Sequence, residues 1–271
     1  MPPALLRRQR IGLHLKITLD DPRRQNALSA EMVAEIDGAL EESRAQGLSA
    51  LVIAGANGVF SAGADLKSVS DALALAPPAG EADPLQEANR AGGHFFARLN
   101  AHPLVTIALV DGPAFGGGMG LASCADIVIA TARARFALSE TSLGLSPAQI
   151  APYVVARVGE RVARRLALTG ARLDGREAAT IGLADFYCES EAECDAQLEK
   201  LLAQVARCAP GANAVTKRLL LASLFTPREK LLDRAAKDFA ACLRGEEGRE
   251  GVSAFLEKRP TRWASGSREG L

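Results

Sequence analysis

Between Ile11 and Leu19 apolar and polar residues alternate strictly: Ile11, Leu13, Leu15, Ile17 and Leu19 share one face, with Gly, His, Lys and Thr between them. A period of two predicts a half-buried strand, closed by Asp20-Asp21-Pro22. The period then lengthens. Met32, Val33, Ile36 and Leu40 recur at helical spacing behind Ser29, a favourable N-cap, until Gly47 ends the helix. Leu51–Ala54 and Ile127–Ile129 are short continuous apolar runs, and Val105–Val110 is apolar but for Thr106, the pattern of buried strands. An apolar helix follows the glycine cluster at 116–118. Ser70 to Asn89 is rich in Ala, Pro and Glu, with Pro77-Pro78 and Gly80 interrupting any long helix, and reads as a loop. Helix is expected to resume near Glu87 and to end before Pro103. From Arg157 to about Phe255 the pattern is mostly helical, with turns at Gly170, Gly175 and Pro210-Gly211. Strands alternating with helices, then helices alone, predict an α/β fold with a helical C-terminal part and no evident linker.

Composition narrows the function classes. In 271 residues, 32 Lys and Arg balance 32 Asp and Glu. A zero net charge removes the general attraction that draws basic proteins to nucleic acid or anionic lipid. No apolar run approaches the roughly 18 residues that span a bilayer, and Met1–Arg8 has no apolar core of a secretory signal, so a soluble, cytoplasmic protein is expected. Cys124, Cys188, Cys194, Cys208 and Cys242 are scattered, as are His14, His94 and His102. Metal and disulfide frameworks need clustering, so reduced thiols and no metal are expected.

Three segments carry candidate chemistry. Ser61-Ala62-Gly63-Ala64-Asp65-Leu66-Lys67 follows a buried strand, and its small residues leave backbone N–H groups open to a ligand; equally, it reads as a glycine turn into a helix capped by Asp65. Gly116-Gly117-Gly118-Met119-Gly120 opens a helix, so its unpaired N–H groups and positive dipole end could meet a ligand oxygen; tight helix–strand packing explains the glycines as well. It lacks the Gly-Lys-Ser/Thr ending of a phosphate loop. Glu140 stands among small and apolar residues, either as a surface cap or as a desolvated carboxylate with a raised pKa suited to proton transfer.

Taken together, and in this order, the three segments resemble the crotonase, or enoyl-CoA hydratase/isomerase, superfamily. The resemblance runs from Asp21-Pro22-Arg23-Arg24-Gln25-Asn26-Ala27-Leu28 to Phe255-Leu256-Glu257-Lys258-Arg259. It implies a spiral of repeated ββα units over residues 1–200, carrying an acyl-CoA site, and a helical region over 201–271 that assembles a homotrimer or a dimer of trimers. It assigns the thioester oxygen to the N–H groups of Ala64 and Gly117. It places Arg23, Arg24, Ala62, Asp65, Leu66 and Lys67 along the CoA path, and Phe255 and Lys258 where a C-terminal helix, often a neighbour's, covers CoA. No cofactor is implied beyond the CoA of the substrate.

One position departs from the pattern. Fatty-acid hydratases of this superfamily carry a glutamate three residues after the central glycine and a second one later. Here the first is Gly120 and only the second, Glu140, remains. With Ile150-Ala151-Pro152-Tyr153 further on, the chain resembles the bacterial hydratases of 3-methylglutaconyl-CoA and isohexenylglutaconyl-CoA, in leucine or acyclic terpene breakdown. Both substrates have a branched β-carbon and a distal carboxylate. Gly120 is expected to open space at that β-carbon, and Arg90, His94 and Lys67 are candidates to pair the carboxylate. A 3,2-enoyl-CoA isomerase needs only one glutamate and is the alternative. A non-catalytic acyl-CoA binder fits Gly120 but not the retained Glu140. RNA binding would need a basic helix face, whereas Lys200, Arg207, Lys217 and Arg218 are interspersed with Leu and Ala.

Overall fold

The computed structural model describes residues 4–73 and 83–264. Its first difference from expectation lies in the alternating run, which is two strands. β1 (Leu6–Ile11) and β2 (His14–Leu19) form an antiparallel hairpin turning at Gly12 and Leu13. Leu15, Ile17 and Leu19 are buried as expected, but Ile11 sits at the hairpin tip, 44% exposed. β1 escaped the pattern because only Leu6 of its Leu-Arg-Arg-Gln-Arg-Ile sequence is buried. It is an edge strand, and its arginines discourage pairing with a further strand.

The chain continues through α1 (Ala30–Ala45), β3 (Ala50–Gly55), α2 (Leu66–Leu73), α3 (Pro84–Asn100) and β4 (Val105–Val110). Ser29 caps α1 by accepting from the Met32 N–H at 3.2 Å. The expected 70–89 loop is narrower: α2 enters it, and α3 starts at Pro84 behind the Asp83 N-cap; positions 74–82 lie outside the described residues. Next come β5 (Pro113–Phe115), α4 (Gly117–Cys124), β6 (Ile127–Thr131), β7 (Arg135–Ala137), a single 3₁₀ turn (Glu140–Leu143) and α5 (Ala151–Thr169). β8 (Arg172–Asp174), α6 (Gly175–Thr180), β9 (Phe186–Cys188) and α7 (Glu191–Ala206) follow, then α8 (Pro210–Ser223), α9 (Arg228–Arg244) and α10 (Glu246–Leu256). β8 and β9 correct the all-helical reading of this part; three residues each are too short to show a period.

A six-stranded sheet has the order β1-β2-β3-β4-β6-β9, parallel from β2 onward, and a three-stranded sheet has the order β5-β7-β8. The units β1–β2–α1, β4–β5–α4 and β6–β7–α5 repeat strand, strand, helix. In the last two, the first strand joins the large sheet and the second the small one. This is the repeated ββα arrangement expected. The main core includes Ile17, Ile36, Ile53, Phe60, Phe95 and Phe136. A second layer, Val52, Ile107 and Ile129, is covered by Cys194, Leu198 and Leu201 of α7. Position 200, the expected division, therefore falls inside a helix of the core, and the helices beyond the sheet begin with α8.

Lys217 ties α8 to the core: its ammonium meets Asp126 at 2.5 Å and donates to the carbonyls of His102 (2.7 Å) and Leu104 (2.5 Å). Glu247 of α10 accepts from the Gly211 and Ala212 N–H groups at the start of α8. Among the described residues no helix is long and apolar enough to cross a membrane.

Candidate active site

The small sheet explains why three distant segments meet. β5 and β7 run parallel with Phe115 opposite Ala137. The 61–64 segment joins the other edge of β5 through the Ser61–Ala114 bridge, with the Phe115 N–H donating to Ser61 O at 3.0 Å. All three chains therefore leave the sheet at the same end. One continues into Gly63-Ala64, one into Gly116-Gly117 at the start of α4, and one into Glu140.

The Asp21–Leu28 segment is the scaffold beneath. The Leu28 N–H donates to Gly63 O at 2.7 Å, and the Ser61 hydroxyl donates to Asn26 O at 2.7 Å while accepting from the Gly63 N–H. The buried Asn26 amide donates to Val59 O at 2.8 Å. Gly63 has φ +91°, where L side chains are strained, and a Cβ there would stand 2.5 Å from Phe115 O and 2.9 Å from Gly117 N. A Cβ on Gly117 would lie 3.5 Å from Ala64 N. The two amides are thus close neighbours. Neither N–H donates to a backbone carbonyl among the described residues; for Gly117 this follows from its place as the first residue of α4. The helix dipole adds positive potential at that end. One oxygen accepting from both amides would have any developing negative charge stabilised.

Glu140 comes to the same helix end: a Cβ on Gly116 would lie 2.9 Å from its Oε1. Oε2 is shielded from solvent and has no partner among the described residues. Burial pushes this carboxyl above the usual range, opposed weakly by a hydrogen bond from its own backbone N–H. Of the two readings of Glu140, the desolvated carboxylate is the one found. The turn is pinned by the Thr141 hydroxyl donating to Ala167 O at 2.8 Å, and Gly144 ends it.

The opening expected at Gly120 is absent. A Cβ there would lie 2.7 Å from Ile150 Cβ and overlap Cγ2, because the Ile150 side chain packs directly on this glycine. Ile150 is 4% exposed. Sequence reading missed this contact, since only packing brings residues thirty positions apart together.

The charged residues of the expected CoA path divide. Arg24 lies 3.3 Å from Glu31 and 3.8 Å from Asp65. Asp65 caps α2, accepting from the Lys67 N–H and the Ser68 hydroxyl. Burial would raise its carboxyl, but those hydrogen bonds outweigh burial and hold it below the ordinary range. Lys67 pairs with Asp71 at 2.7 Å, and Arg23, Leu66 and Ala64 are exposed beside the half-buried Ala62. Arg90 and His94 are exposed on α3. Phe255, 83% exposed, and Lys258 stand at the far end of α10; no hydrogen bond or ion pair joins them to Ala64, Gly117 or Glu140. Of the residues weighed for a basic face, Lys217 is held by Asp126 and Arg218 by Asp238.

The chain matches the family model of enoyl-CoA hydratase/isomerase over residues 13–266, and it belongs to that family. Among solved structures it is similar to Pseudomonas aeruginosa AtuE, at 46% identity and TM-score 0.90, covering 96% of this chain and 99% of the other. A Thermus thermophilus protein bearing an enoyl-CoA hydratase name is 34% identical over 91% of this chain and 96% of its own. The 2,3-dehydroadipyl-CoA hydratase of Escherichia coli is 31% identical, over 93% and 94% respectively. The protein is an enzyme of the enoyl-CoA hydratase type.

Proposed function

We propose that this enzyme reversibly hydrates a branched, carboxylated 2-enoyl-CoA, namely 3-methylglutaconyl-CoA or isohexenylglutaconyl-CoA. The observation that carries the reading is one desolvated carboxyl, Glu140, beside two free amides, with an apolar side chain where a second acid would stand. The thioester oxygen accepts from the Ala64 and Gly117 N–H groups. Glu140 takes a proton from water as its oxygen bonds to the β-carbon, and the double-bond electrons move through the α-carbon onto the thioester oxygen. The enolate then collapses, taking the proton from Glu140 at the α-carbon. Fixed donors hold the enolate oxygen more tightly than the neutral carbonyl, which is what lowers the barrier. The Escherichia coli relative is named for 2,3-dehydroadipyl-CoA, the thioester of a dicarboxylic acid, in keeping with a carboxylated substrate.

Arg23, Arg24, Ala62, Asp65, Leu66 and Lys67 would line the CoA path, with Phe255 and Lys258 supplied by a neighbouring subunit. The exposed Leu220, Leu224, Phe225, Leu232, Phe239 and Phe255 of α8–α10 would be covered in a cytoplasmic homotrimer or dimer of trimers. A single carboxyl also suits a 3,2-enoyl-CoA isomerase, which moves one proton between carbons. Mass spectrometry separates the two. Incubation with each glutaconyl thioester should add the mass of one water; a moved double bond at constant mass, with a straight-chain 3-enoyl-CoA, would establish the isomerase instead.

A further inference from the structure

Gly116, the N-cap of α4, and Gly120 lie one turn apart, the Gly120 N–H donating to Gly116 O at 3.0 Å. The Glu140 carboxylate rests on the first glycine and the Ile150 side chain on the second. The Glu140 carboxylate and the Ile150 side chain therefore lie against positions one turn apart at the start of α4, as neighbouring parts of one wall. That wall is braced from α3. Gln149 donates to Asn89 at 2.7 Å and would clash with any side chain on Gly93, and Tyr153 packs tilted against Phe96 with ring centroids 6.3 Å apart. The segment carrying Ile150 is therefore fixed on both sides, and Ile150 has little freedom to withdraw.

We infer that Ile150, seated on Gly120 one helical turn beyond the Glu140 carboxylate, is the apolar wall against the β-carbon of the acyl chain and decides how large a substituent that carbon carries. This rests on the enoyl-CoA reading above. Counted outward from the oxygen held at Ala64 and Gly117, the α-carbon comes first and the β-carbon next, and Glu140 must serve both, giving its proton to the one and activating the water that attacks the other. Ile150, packed one turn along from the acid, then stands beside that carbon. A hydrocarbon there accepts a methyl or larger alkyl branch by contact but rejects one larger than the gap allows. It also explains why the helix carries glycine at 120: with Ile150 in place, even a methyl does not fit.

The test compares kcat/KM for crotonyl-CoA and 3-methylcrotonyl-CoA, which differ only in one methyl on the β-carbon, across the wild type, Ile150→Val, Ile150→Ala, Gly120→Ala and the double variant Gly120→Ala/Ile150→Ala. Such pocket contacts discriminate one methylene by about 10–200-fold. The ratio should move at least about tenfold toward the branched substrate in Ile150→Ala, with a smaller shift the same way in Ile150→Val, a variant that changes the core least. Gly120→Ala should lower turnover of both thioesters when Ile150 is present and much less when it is trimmed, a coupling expected only of touching residues. An unchanged ratio in both Ile150 variants, with melting transitions showing them folded, overturns the inference. A wild type inert to every enoyl-CoA overturns the reading beneath it, and this inference with it.

Discussion

A methyl on Gly116 would stand 2.9 Å from Oε1 of Glu140, so the acid rests directly on the backbone at the start of α4. The proximity places the carboxyl beside the amide of Gly117, while burial of Oε2 without a partner keeps it hard to ionise. Activity that needs ionised Glu140 should rise with pH along a limb above the usual carboxylate range. The pH profile of kcat/KM checks this; a limb near an ordinary glutamate contradicts it.

The same burial sets a stability trade-off. A carboxyl raised on folding disfavours the native state wherever it is ionised, above its folded pKa, and does not below its unfolded value. Glu140→Gln should therefore melt no lower than wild type at neutral pH. Any gain should shrink as pH falls through the raised pKa toward the ordinary carboxylate value. Thermal melts of both proteins across that range measure it, and a gain that grows toward acid would contradict the sign.

Gly63→Ala tests the amide pair. The change forces a side chain to φ +91° and drives Cβ toward Phe115 O and Gly117 N. Strain of this kind costs about 1–3 kcal/mol, and misplacing one donor costs about 10²–10³ in kcat. Steady-state kinetics with a denaturation curve should show both losses.

Lys217 is 11% exposed and carries three contacts between α8 and the core. Burial pulls its ammonium down in pKa, and Asp126 opposes that. Removing one member of such a pair strands the other, so Lys217→Met should cost about 3 kcal/mol. Lys217→Met with Asp126→Asn should cost less than the sum of the singles. Urea denaturation reads the energies. If additivity held, Lys217 and Asp126 would act independently.

What was legible in the sequence follows from what is local. β3 and β4 are almost wholly apolar runs, α1 has a capping serine and a helical period, and all three lie where the pattern put them. β1 hid behind its arginines, and β8 and β9 were too brief. The glycine segments and Glu140 could be picked out because each is contiguous. Their convergence was legible only through family resemblance, since the β5–β7 register and the Ser61–Ala114 bridge create it. Gly120 was misread as space because nothing along the chain announces that Ile150 covers it. Lys217 looked like one more surface cation, as its partner Asp126 sits on a distant loop.

In the proposed reaction Glu140 moves the proton while Ala64 and Gly117 hold the thioester. Turnover of 3-methylglutaconyl-CoA and calorimetric binding of that thioester, both measured on one Glu140→Gln preparation, separate the two roles. One positioned acid/base contributes about 10²–10⁴-fold, so turnover should fall by that factor while affinity stays near the wild-type value. Undiminished turnover, or binding lost in step with turnover, would contradict this division of roles.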